Sequence, residues 1–120
     1  MSDTKRTIVL VEDDDGLRTA LQRLLKLAGF NALVYSSAEA LKAANVIDQA
    51  WCLVLDVQLP GVSGPTMYEQ LPEPRPPVVF ITSHDNLITR RAVEIAGGEL
   101  LVKPFAGTRL LDVIAMAGKN

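Results

Sequence analysis

Cys52-Leu53-Val54-Leu55-Asp56, followed at once by Val57-Gln58-Leu59-Pro60-Gly61, is the stretch on which the fold turns. A short unbroken apolar run that ends in a Pro-Gly turn reads as a strand covered on both faces, as strands are in parallel sheets flanked by helices. Asp56 closes that run. A carboxylate placed where a buried strand meets a turn is costly to desolvate, so it needs a partner or a task. Two other apolar runs end alike: Ile8-Val9-Leu10-Val11 leads into Glu12-Asp13-Asp14, and Leu100-Leu101-Val102 leads into Lys103-Pro104. If these ends meet in space, they form an acidic cluster beside one lysine.

Outward from that strand, helix and strand patterns alternate along the whole chain. Thr7–Val11 reads as a first strand, and Leu17, Ala20, Leu21, Leu24, Leu25 and Ala28 then recur at three and four, the stripe of an amphipathic helix. Asp14 is its expected N-cap and Gly29 its stop. Residues 32–35 form a short strand. Ser36, three residues before Glu39, predicts a capping box that opens a second helix. Residues 64–71 predict a third helix, cut short because Pro72, Pro74, Pro76 and Pro77 lack amide donors and clash with a preceding turn. Val78–Thr82, Leu87–Ala96, residues 100–102 and residues 108–117 supply strand, helix, strand and helix, with Gly97-Gly98 between the second and third. Five strands alternating with five helices predict an α/β fold, a doubly wound parallel sheet with helices on both faces. Such sheets gather ligands at the carboxyl ends of their strands, where the charged residues above lie.

Composition narrows the function classes. At 120 residues the chain is one domain, and 48% apolar with 22% charged residues describes an ordinary globular protein. A formal charge of -2 gives no support for a nucleic-acid surface. Cys52 is the only cysteine, which excludes an internal disulfide and suits a reducing, cytoplasmic setting. The polar start Met1-Ser2-Asp3-Thr4-Lys5-Arg6 lacks the apolar stretch of a signal peptide, and no run is long enough to cross a bilayer. Neither G-x-G-x-x-G nor a P-loop is present, which disfavours nucleotide binding.

Carboxylates held close together repel, and the usual relief is a shared proton or a hard cation. Mg2+ suits the oxygen ligands available, with Asp13 and Asp56 as direct ligands and Glu12 reaching the ion directly or through water. Thr82 ends the fourth strand with a hydroxyl and Lys103 supplies a fixed positive charge. A carboxylate nucleophile, a divalent cation, a lysine and a hydroxyl are the parts that phosphoryl transfer needs, because that reaction is governed by positioning and by neutralising oxygens.

These residues resemble the receiver domains of two-component response regulators. The resemblance rests on Val11-Glu12-Asp13-Asp14, on Leu55-Asp56-Val57-Gln58-Leu59-Pro60-Gly61 with Ser63-Gly64, on Ile81-Thr82-Ser83, and on Lys103-Pro104-Phe105. Each motif alone is weak; four in order, each at a strand end, are specific and span nearly the whole chain. The resemblance implies that Asp56 accepts a phosphoryl group from a histidine kinase or histidine phosphotransfer protein. It implies that Asp13, Asp56 and the Gln58 backbone carbonyl hold Mg2+, with Glu12 supporting the metal through water. It implies that Thr82 and Lys103 contact the phosphoryl oxygens and that the Lys103-Pro104 bond is cis. The fold expected is a flavodoxin-like sheet of strand order 2-1-3-4-5, a single domain over residues 1–120 without an output domain. It would act as a monomer or phosphorylation-dependent dimer on an unidentified downstream protein, with no direct contact to nucleic acid or membrane. Two other readings are an aspartate-nucleophile, magnesium-dependent phosphohydrolase or phosphotransferase, and a phosphorylation-independent adaptor.

The sequence also departs from the family. Its members usually carry tyrosine or phenylalanine three residues before the lysine, where this chain has Leu100, and leucine cannot report by ring rotation. The loop at residues 83–86 and the fourth helix are therefore expected to carry the switch, with Gln58 and His84 setting the lifetime of the signal. His84, the Pro74 to Pro77 stretch, and Arg90 with Arg91 read more simply as an exposed loop residue, a stiff loop and a solvated face. Trp51, about 16 Å from Asp56 along an extended strand, is expected to report poorly on the site.

Overall fold

The computed structural model describes residues 5–119. Its strands are β1 (Thr7–Val11), β2 (Asn31–Tyr35), β3 (Cys52–Asp56), β4 (Val78–Thr82) and β5 (Glu99–Val102). Its helices are α1 (Asp15–Leu27), α2 (Ala38–Ala44), α3 (Gly64–Glu69), α4 (Leu87–Ala96) and α5 (Gly107–Gly118). The sheet is parallel throughout in the order β2-β1-β3-β4-β5, as expected. Strand order reverses beside β1, so β1 and β3 are neighbours and their carboxyl ends, Val11 and Leu55, stand opposite each other.

Two cores follow from the alternation of side chains along each strand. On one face Ile8, Leu10, Val54, Val79 and Ile81 pack against α1 and α5; on the other Val9, Leu53, Leu55 and Phe80 pack against α2, α3 and α4. Every residue of β3 and β4 is buried, including Asp56 and Thr82. That is why their apolar runs are unbroken.

Helix starts agree with the sequence at Asp14, whose side chain accepts from Leu17 N at 2.7 Å. They differ at α2, where Ser37 rather than Ser36 is the cap and accepts from Ala40 N at 3.1 Å. Ser36 had been favoured by its spacing to Glu39, but β2 runs to Tyr35 and the extended backbone reaches the cap position one residue later. Helix α3 ends at Glu69, two residues before the expected stop, and Arg75 covers its open end by donating to Glu69 O and Leu71 O. A 3-10 turn at Ile47–Gln49, absent from the sequence reading, closes the connection into β3.

Candidate functional site

The acidic and basic strand ends do meet. Lys103 Nζ lies 3.0 Å from Asp56 Oδ2 and 2.8 Å from Glu12 Oε1, bridging the ends of β3 and β1 from beyond the end of β5. Glu12 and Asp56 are buried, at 0% and 3% exposure, whereas Asp13 is exposed. Burial alone would pull the Lys103 ammonium down, but hydrogen bonds to Glu12 and Asp56, with their charges, outweigh it and raise Lys103 above its ordinary value.

Backbone contacts fix this geometry. Lys103 N donates to Thr82 O at 2.7 Å, Val57 N to Ile81 O at 2.9 Å, and Glu12 N to Tyr35 O at 3.1 Å, so each ladder continues one residue past its strand. The Lys103-Pro104 peptide is cis, as the resemblance implied, and so is Glu73-Pro74. Gly64 comes so close to the Asp56 backbone that a Cβ there would lie 2.3 Å from Asp56 O. Only glycine lets the start of α3 pack against the end of β3.

Glu12 Oε2 accepts from Asp14 N at 3.0 Å, while Glu12 Oε1 meets the Lys103 ammonium at 2.8 Å. Glu12, Asp13 and Asp56 each offer one oxygen within 4.8 Å of the others. Three carboxylates gathered beside one lysine fit a hard oxygen-seeking cation.

Thr82 lies next to this cluster on the β4 side. Its Oγ1 donates to Gln58 Oε1 at 2.8 Å and accepts from His84 N at 2.9 Å. Gln58 in turn donates its backbone N–H to Asp56 Oδ1 at 2.9 Å. Sequence reasoning had assigned Gln58 through its backbone and missed its side-chain bond, which joins residues 24 apart. It also missed Arg18, whose Nη1 donates to Glu12 O at 2.9 Å while Nη2 pairs with Asp15. An arginine near the start of α1, outside the apolar stripe, carries no signal of that contact. His84 is exposed, and Arg90 forms a two-pronged pair with Asp85 that holds Arg90 above and Asp85 below their ordinary values. Pro72 to Pro77 is tied down through Tyr68, whose hydroxyl donates to Pro76 O at 2.6 Å.

Residues 8–115 match the family model of the response regulator receiver domain. The chain belongs to that family. Receiver domains are signalling modules of two-component systems, in which they interact with histidine kinases. Nodulation protein W of Bradyrhizobium diazoefficiens is 35% identical over 117 residues, which cover 95% of this chain and 52% of that protein. Response regulator protein TodT of Pseudomonas putida is 30% identical over 122 residues, covering 99% of this chain and 54% of TodT. A response regulator receiver protein from Burkholderia phymatum is 32% identical with a TM-score of 0.82, covering 96% of each chain. The receiver domain spans between about a quarter and about half the length of the curated relatives it matches. No helix among the described residues is long and apolar enough to cross a membrane.

Proposed function

We propose that Asp56 accepts a phosphoryl group from a histidine kinase or histidine phosphotransfer protein, in a Mg2+-dependent reaction that switches protein–protein contacts in the cytoplasm. The observation that carries this reading is Asp56 itself, buried at the end of β3 with one carboxylate oxygen on Lys103 and the other on the Gln58 amide. Both contacts orient the carboxylate without removing its lone pairs. In the transfer, an Asp56 oxygen forms a bond to phosphorus as the phosphorus–nitrogen bond of the donor phosphohistidine breaks, and the departing imidazole nitrogen takes up a proton. Lys103 would hold a phosphoryl oxygen, and the Thr82 hydroxyl would donate to another. Asp13, Asp56, Glu12 and the Gln58 backbone carbonyl would hold Mg2+, which when bound supplies positive charge against the transferring oxygens.

Asp56 is the acceptor in this reading, and intact mass tests it directly. Incubation with acetyl phosphate and Mg2+ should add one phosphoryl group to the wild-type chain and none to Asp56→Asn, with the gain lost when the metal is chelated. Persistent modification of Asp56→Asn, or none in the wild type, would overturn the assignment.

A further inference from the structure

We propose that the Gln58 side chain is a latch on Thr82, holding the hydroxyl's single proton in the unmodified domain and surrendering it when Asp56 carries a phosphoryl group. The inference rests on the acceptor reading above and adds a positioning residue to it. A threonine hydroxyl can donate only once. That donation now goes to Gln58 Oε1 at 2.8 Å, because the second oxygen near Thr82 Oγ1, His84 O, is 3.4 Å away. The His84 amide at 2.9 Å occupies the accepting side of the same oxygen and fixes its orientation. Thr82 is completely buried, so its proton has no water to share.

Two features make this bond one that can be exchanged. A phosphoryl oxygen is charged, and hydrogen bonds to charged acceptors are about twice as strong as those to a neutral amide. The equilibrium therefore favours redirecting the Thr82 hydrogen bond, with its O–H bond intact, once a phosphoryl group stands beside it. Gln58 is exposed and borders a groove of about 470 Å³, lined by the loop after β3 and by Ile88, Thr89 and Ala92 of α4. Its released amide can hydrate there, so breaking the latch leaves no buried polar group unpaired. Gln58 also touches Asp56 Oδ1 through its own N–H, so one residue contacts both the acceptor and the hydroxyl. Thr82 in turn holds the His84 amide at the head of the loop that leads to Asn86, the N-cap of α4. With Leu100 unable to report by ring rotation, this bond is a direct link from the acceptor towards α4.

The test uses beryllofluoride with Mg2+, the phosphoryl mimic named in the activated structure of the DrrB receiver domain, followed through the His84 amide by NMR titration. Gln58→Met keeps the side-chain length and removes the acceptor, and should lower the half-saturating concentration of the mimic about three- to tenfold, the range that one net hydrogen bond spans. In a Thr82→Ala background there is no proton to hold, so adding Gln58→Met should change that concentration less than about twofold. An unchanged or weakened affinity in Gln58→Met overturns the latch, as does an equal gain in the Thr82→Ala background. A matching rise in affinity for Mg2+ alone would assign the gain to the metal and overturn it too. Failure of the wild type to bind the mimic would instead strike the acceptor reading.

Discussion

The two ends of the sheet treat charge in opposite ways. At the amino ends of the strands, charged groups serve packing: the Arg6 guanidinium lies 4.4 Å over the Trp51 ring, Trp51 stacks on Phe30, and a Cβ on Gly118 would meet the indole at 2.3 Å. Nearby Arg75 caps α3 and lies over Tyr68. At the carboxyl ends, Glu12, Asp13 and Asp56 cluster together, and one lysine pairs with the two buried members, Glu12 and Asp56. One end spends its charges on packing, while the other gathers three carboxylates beside a single lysine. The difference locates function more sharply than either end does alone.

The largest test removes the lysine. Lys103→Met leaves two buried acids facing each other without their common partner, which should lower unfolding free energy by about 3 kcal/mol, the scale for breaking a buried ion pair. A cation can replace what was lost, so millimolar Mg2+ should restore more stability to Lys103→Met than it adds to the wild type. Urea denaturation with and without the metal measures both quantities. Equal metal-induced gains in the two proteins would break the contrast between the ends.

A smaller effect is expected at the other end. Trp51→Ala removes a half-buried indole together with its stacking and cation contacts, and should cost about 2 kcal/mol, below the range for fully buried aromatics. That loss should be the same with and without Mg2+, and affinity for beryllofluoride should not change. A metal-dependent loss in Trp51→Ala would show that the two ends communicate through β3.

What the sequence revealed follows the same division. The strands were legible because β3 and β4 are buried on both faces and must be unbroken apolar runs, whereas their order followed from the family resemblance. Glu12, Asp56 and Lys103 were legible because a charge closing such a run is conspicuous. The Ser36 assignment failed because its spacing to Glu39 favoured it, whereas the path of the backbone out of β2 selects Ser37, whose side chain accepts from Ala40 N. The Thr82–Gln58 bond was hidden for a related reason. It depends on how the loop after β3 folds back toward β4, and no local pattern in residues 57–63 encodes that return. Contacts made by strand geometry can be read from sequence, whereas contacts made by loop geometry need coordinates.

The smallest effect appears in alkali and isolates Lys103 without a metal. Its ammonium is raised above the ordinary 10.5 because the bonds to Glu12 and Asp56 outweigh desolvation, so it holds its proton more tightly folded than unfolded. Its stabilisation is therefore fully present below about pH 10.5 and is lost as pH rises through the folded pKa. Cys52, pushed up to about 12 by burial, and Tyr68, also raised by burial, erode stability in the same alkaline region. Both groups remain in Lys103→Met, so they cancel in the difference between that variant and the wild type. In chelator, that difference should stay constant from pH 8 to about pH 10 and then narrow as Lys103 loses its proton. Neutral Lys103 no longer compensates the acids, and at that point the wild type should approach the stability of the variant. A difference that stayed constant to the pH of unfolding would mean that the carboxyl-end acids do not depend on the lysine charge, and the contrast between the two ends would then rest on packing alone.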